Sequence, residues 1–233
     1  MKSFYHSFFG KINKFDLLVA FYTSCLVMAE LMGSKTFPII NIFGYQLTTT
    51  VAIFLVPLIF TVNDVITEVY GKERTRSVIR SGLLMIAFII VFATIATILP
   101  PSGRFAPFEE AYDTIFTKSI RISAASLTAF TIAEFMDVFI FVRVRKALGK
   151  SKLWLRNNAS NFISQFFDTF IFMTLAFYSF QESFAENAEF LVGLILPYWL
   201  LKCFMSTVET PFVYLGVRWL RGSEKVVEKQ WIV

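Results

Sequence analysis

Six long apolar runs govern what this chain can fold into. They cover residues 17–32, 48–62, 82–99, 122–142, 162–180 and 190–217. Each is close to the ~20 residues that cross a bilayer as a helix, the second only if it continues helically to Tyr70. No water is available in hydrocarbon to satisfy backbone N–H and C=O groups, so runs of this length read as helices that bond within themselves. Composition agrees: 56% of residues are hydrophobic, against the roughly 45–50% usual in soluble domains. The expectation is an all-α membrane protein, a bundle of six transmembrane helices forming one domain over residues 1–233, with no separate soluble domain.

The net charge of +5 would suit a polyanion partner if the basic residues were clustered, but they alternate with the spans. Lys2, Lys11 and Lys14 precede the first run, and Lys72, Arg74, Arg76 and Arg80 follow the second. Arg143, Arg145, Lys146, Lys150, Lys152 and Arg156 follow the fourth; Arg218, Arg221, Lys225 and Lys229 follow the sixth. The other loops hold only Lys35 in one, Arg104, Lys118 and Arg121 in another, and no basic residue in 181–189. Positive charge marks the cytoplasmic side, so both termini are expected there, and the basic excess reflects topology rather than nucleic-acid binding. The first run has a basic start like a signal peptide, but Met28-Ala-Glu-Leu-Met32 offers no small-x-small cleavage site, so a retained helix is expected. Cys25 and Cys203 lie inside spans and form no C-x-x-C, and His6 is the only histidine, so no metal site or other cofactor is expected.

Polar residues inside these runs carry the functional signal. Asn161, Gln165, Asp168 and Phe172 fall at i, i+4, i+7 and i+11 and share one helix face. An ionised Asp at the centre of a membrane helix costs roughly 2.5–3.5 kcal/mol, so Asp168 should face protein or an aqueous cavity. In the fourth run Ser123, Ser126, Phe130, Glu134, Asp137 and Phe141 line roughly one face. In the sixth, Lys202, Ser206 and Glu209 do the same. Asp64, near the cytoplasmic end of the second helix, is one more acid that needs a partner. These faces are expected to converge on one cavity at and just below the midplane, the layout of a carrier reached in turn from each side. Lys202 should pair there with Asp137 or Asp168.

Peripheral charges have plainer expectations: Glu30 with Lys35 near the outer surface, and Glu68 with Arg74 or Arg76. Pro38 and a Gly44 turn should end the first helix region, and Gly71 should stop the second helix. Phe108, Ala111, Tyr112, Ile115 and Phe116 form a short amphipathic stripe expected to lie on the outer membrane surface. Met28-Ala-Glu-Leu-Met32 and Ile132-Ala-Glu-Phe-Met136 look alike on oppositely directed helices, a match too short to establish an inverted repeat. No G-x-x-x-x-G-K-[ST], H-E-x-x-H or G-x-S-x-G motif is present, so the chain is not read as an enzyme.

Asn63-Asp64, Glu68-Val-Tyr-Gly71 and Arg74; Arg121, Ser126, Ala133-Glu134 and Asp137; Ser160, Ser164-Gln165, Asp168-Thr169 and Phe172; and Lys202 together resemble the queuosine precursor transporter family. The resemblance runs from about the second helix to the sixth. It implies a six-helix carrier of 7-deazaguanines: 7-cyano-7-deazaguanine, its aminomethyl relative, or queuine. Some members carry Gly-Asn where this chain has Ser164-Gln165, which leaves the preferred base open. The expected binding set is Asp64, Glu134, Asp137, Asn161, Gln165, Asp168 and Lys202, facing a purine-like small molecule. A carboxylate, an amide and an ammonium complement the donors and carbonyl of a guanine-type edge, and Phe130, Phe166, Phe172 and Tyr198 are available for stacking. The partners are then this ligand and the lipid bilayer, with no nucleic acid and a homo-oligomer left open. A substrate-binding subunit of an ATPase-driven vitamin importer is the alternative, and an intramembrane enzyme using paired acids or an ion pathway are more distant ones.

Overall fold

The protein is described here by a computed structural model covering residues 13–42, 45–148, 153–208 and 210–224, with the side chains of 42, 45, 134–142, 144–148, 153–161, 205–208, 210 and 222–224 outside the description. Helix α1 (Lys14–Met32) begins where the Asn13 side chain accepts a hydrogen bond from the Phe15 amide. Strands β1 (Thr36–Ile42) and β2 (Tyr45–Thr50) form an antiparallel hairpin, followed by a 3₁₀ turn over Val51–Phe54. Helices α2 (Val56–Tyr70), α3 (Lys72–Ile98), α4 (Glu109–Leu148), α5 (Leu153–Phe177), α6 (Phe184–Val208) and α7 (Thr210–Glu224) complete the order. The molecule is an all-α membrane protein in architecture, with one small hairpin. Among the described residues four helices are long and apolar enough to cross a membrane: Lys14–Met32, Val51–Tyr70, Lys72–Ile98 and Phe184–Phe204.

Three expectations need correction. The chain is not helical throughout: α1 ends before Pro38 as expected, but the segment beyond it pairs as a hairpin, with Gly44 outside the described residues, and Pro38 is accommodated by a register irregularity between Pro38 and Ile40 because proline has no N–H to give the ladder. The amphipathic stripe at 108–116 is not a separate surface helix: from Glu109 it forms the first turns of α4. That helix has 40 residues, about 60 Å at 1.5 Å per residue, or twice a ~30 Å hydrocarbon core. The run at 190–217 is divided between α6 and α7, with Pro211 placed in the first turn of the second piece. A proline is tolerated there because the first amides of a helix have no intrahelical partner.

Gly71, at φ +82°, turns α2 back into α3. Tyr22, Val62, Ile66 and Val78 then form one core across α1, α2 and α3, while Met173, Leu191, Leu194, Ile195 and Tyr198 form another between α5 and α6. Val65, Val217 and Leu220 join α2 to α7. The apolar side chains of α3 that miss these clusters, such as Leu84, Phe88 and Ile98, are strongly exposed, as a lipid-facing surface requires. Hairpin and α6 approach closely at Gly193, where a Cβ would lie 3.1 Å from the Gln46 carbonyl.

Polar ties fix the helix ends. Arg121 of α4 donates to the carbonyls of Leu175 and Tyr178, which belong to the last turn of α5 and the residue just after it; a cation there satisfies acceptors and opposes the dipole of the helix end. Ser183 and Glu186 form a capping box at the start of α6. Asn187 folds the preceding loop by bonding both the amide and the carbonyl of Ser179. Glu68 lies 3.7 Å from Arg221 of α7 rather than beside Arg74 or Arg76. Arg76 pairs with Glu73, and Arg74 sits over the Phe15 ring. The choice follows from packing, since α7 lies against α2 while Arg76 turns to Glu73 on α3 and Arg74 to Phe15 on α1.

Candidate functional site

A cavity of about 230 Å³ opens among the helices, and each of α1 to α6 contributes to its wall. The lining is mostly apolar, with Val56 and Phe60 from α2 and Ile86 from α3 among its residues. Phe130 of α4 and Phe172 of α5 place two aromatic rings on it. Charged groups among the described lining residues are three: Glu30, Asp168 and Lys202.

Lys202 Nζ donates to Asp168 Oδ2 at 2.8 Å, joining α6 to α5 through the interior. Lys202 is buried, and Asp168, which lines the cavity, keeps about a third of its side chain accessible. The ammonium also lies 5.6 Å from the centroid of the Tyr198 ring, one turn earlier on α6. Tyr198 is itself buried beside Thr50 at the end of β2. A buried ion pair strands the survivor if either member is removed, so this contact holds two helices together as well as placing an acceptor and a donor on one wall. Pro197 precedes Tyr198 inside α6; having no N–H, it cannot bond the carbonyl one turn back at Gly193, so the helix is weakened close to the pair.

The residues expected from sequence divide three ways. Asp168 and Lys202 are brought together; the side chain of Asp137, the other acid considered for Lys202, lies outside the described residues. Gln165 lies one turn from Asp168 but outside the cavity wall, where its Oε1 accepts from the Cys203 thiol at 3.7 Å. Asp64 is exposed on α2 and does not line the cavity. Glu134, Asp137 and Asn161 belong to α4 and α5, and their side chains lie outside the described residues. Of the rings offered for stacking, Phe130, Phe172 and Tyr198 reach the cavity, whereas Phe166 packs on Trp199 with ring centroids 5.4 Å apart.

Helix α1 supplies what the sequence reading did not. Tyr22, Leu26 and Glu30 lie four residues apart on one face and line the cavity. Gly82 of α3 lets that face come close: a Cβ at Gly82 would lie 3.0 Å from Leu26 and 3.2 Å from Tyr22. Glu30 is 5% exposed, while Lys35 lies on the exposed surface beyond the helix end, so the expected surface pair does not form. Instead the Glu30 carboxyl stands beside Ser123 and Ser126 of α4. The signal was available: an acid within an apolar run carries the same insertion cost as Asp168, but a nearby lysine offered a simpler account.

The match to known families settles the class of the chain. Residues 50–216 match the family described as "Putative vitamin uptake transporter". The chain belongs to this vitamin uptake transporter family. It is 29% identical over 219 residues to a protein of Bacillus subtilis (strain 168) called "Probable queuosine precursor transporter", covering 93% of this chain and 89% of that one. A protein of the same name from Haemophilus influenzae is 26% identical, covering 88% and 80% of the two chains. The "Queuosine precursor transporter" of Escherichia coli (strain K12) is 26% identical, covering 67% and 66%. No solved structure matches. The family assignment and the apolar helices together make this a multi-pass membrane transporter, and a transporter is not an enzyme.

Proposed function

We propose that this transporter is a six-span carrier of the bacterial inner membrane, a single membrane domain with both termini cytoplasmic. It imports 7-deazaguanines such as 7-cyano-7-deazaguanine for salvage into modified tRNA. The observation that carries this reading is the Lys202–Asp168 pair set in an otherwise apolar cavity beside Phe130 and Phe172. A guanine-type edge presents adjacent N–H donors and a carbonyl. Asp168 accepts from the donors, Lys202 donates to the carbonyl, and the rings hold the flat faces. The names of the relatives point to the same substrate class. A cavity of about 230 Å³ is smaller than the roughly 300–1,000 Å³ typical of drug-sized ligands, which favours one bicyclic base over a nucleotide. Gln165 enters the binding set when the pair opens toward the substrate. Asp64, Glu134, Asp137 and Asn161 stay in the proposed substrate-binding set on the strength of the sequence alone.

Rescue in cells tests the proposal. A strain lacking both precursor synthesis and its own carrier should regain queuosine in its tRNA when this protein is expressed and a 7-deazaguanine is supplied outside. Asp168→Asn should remain in the membrane and lose the rescue, because the amide presents a donor to one of the substrate N–H groups. Absence of rescue by the unaltered protein with every base supplied would refute the substrate assignment. Dependence on a copurifying ATPase would make the chain a binding subunit instead.

Topology is tested separately. In a background without Cys25 and Cys203, Glu182→Cys should react with an impermeant thiol reagent in intact cells, and Arg145→Cys should not. Reaction of the second variant would invert the proposed orientation.

A further inference from the structure

Glu30 is the charged group of the cavity that the Lys202–Asp168 pair leaves unexplained, and it lies outside the family match at residues 50–216. Its residue exposure is 5%, it lines the cavity, and among the described residues its Oε2 has no hydrogen-bond partner. A carboxyl serving only as a clamp between helices would have both oxygens bonded, since buried polar atoms nearly always are.

The ionisable groups that share the cavity wall are Tyr22 on its own helix, Asp168 from α5, and Tyr198 and Lys202 from α6. The described lining residues of α2, α3 and α4 add none. Lys202 and Asp168 cancel each other, so an ionised Glu30 leaves one net negative charge in a largely apolar chamber. A proton removes that charge, and neutralisation is the usual response of an unpaired buried acid. Ser123 and Ser126 fit both forms: a hydroxyl donates to a carboxylate and accepts from a carboxylic acid. Among the described residues the buried Ser123 Oγ makes no hydrogen bond of ordinary geometry although it stands beside the acid, so it is placed to bond Glu30 after a small adjustment.

We propose that Glu30 is a proton-binding site of the transport cycle, distinct from the substrate-orienting pair, taking up a proton as the cavity loads and releasing it on the other side. The transfer balances simply: a proton from water on one side joins a Glu30 carboxylate oxygen and leaves as hydronium on the other. The ion bound is a proton, with sodium as the alternative that the test distinguishes; among the described residues no group of three or more His, Cys, Asp or Glu side chains that could hold a metal occurs.

The inference rests on the carrier reading, so its test has one arm without substrate and one with it. In lipid-reconstituted, substrate-free protein, the infrared difference spectrum between acid and neutral pH should contain a protonated-carboxyl band that Glu30→Gln removes. Ser126→Ala, which keeps the acid, should move the pH midpoint of that band. In proteoliposomes, the unaltered protein should accumulate labelled 7-cyano-7-deazaguanine about tenfold for an imposed gradient of about one pH unit and one proton per substrate. Glu30→Gln should exchange the label across membranes at equal pH yet fail to accumulate it. An unchanged infrared spectrum, accumulation by Glu30→Gln, or accumulation driven by sodium at constant pH would each overturn the proposal. Loss of exchange together with accumulation would overturn it too, by making Glu30 a substrate ligand. If no 7-deazaguanine is bound or moved while the infrared band behaves as described, the substrate reading fails and the proton site stands.

Discussion

Lys202→Met is expected to abolish uptake and to lower the stability of the detergent-extracted protein by about 2–3 kcal/mol. That lies at or just below the roughly 3–5 kcal/mol for breaking a fully buried ion pair because Asp168 keeps some access to water. The methionine fills most of the lysine's volume, so lost packing contributes little and the stranded Asp168 carboxylate accounts for the effect. Adding Asp168→Asn should recover much of the stability, since neither residue then carries an unpaired charge, but it should recover no uptake. A double-mutant cycle read by thermal unfolding measures this, with Lys202→Met plus Asp137→Asn as the comparison. Coupling with Asp168 and near-additivity with Asp137 is the expected pattern. Additive losses in both combinations would mean that the 2.8 Å contact contributes nothing to stability, and the charge-paired cavity would have to be abandoned.

Gly216→Leu should loosen α7 from α2. A Cβ at Gly216 would lie 2.6 Å from Val65 Cγ2, and a β-branched valine fixed in a core has no free torsion by which to withdraw. Overpacking of this kind costs about 1–3 kcal/mol, and four added carbons place the effect at the upper end. The contact also holds Val217 and Leu220 in place and brings Arg221 toward Glu68. A fall in the unfolding temperature, partly reversed by adding Val65→Ala, would establish that α7 is seated on α2. Unchanged unfolding of Gly216→Leu would show that it is not. The larger functional loss belongs to Lys202→Met, because Gly216 lies outside the cavity wall.

Hydropathy and the cost of burying charge were legible in the chain itself. The apolar runs determined a helical membrane protein, because only internally bonded segments can cross hydrocarbon. Asp168 and Lys202 marked the interior as charged for the same reason, since neither can face lipid. What the sequence could not decide was which partner each charge takes. Lys202 had two acids at suitable depth; the packing of α5 against α6 brings Asp168 to it, and the side chain of Asp137 lies outside the described residues. Glu68 had two arginines close in sequence, and the return of α7 onto α2 gave it Arg221 instead. Glu30 had Lys35 five residues away, but the approach of α1 to α3 at Gly82 turned its face inward to Ser123 and Ser126. Periodicity shows that residues share a face; which way the face points depends on how closely neighbouring helices can approach. The hairpin between α1 and α2 was hidden for a related reason: its strands are short, one contains proline, and the pairing that stabilises them joins Thr36 to Thr50, a contact between residues that local pattern does not register.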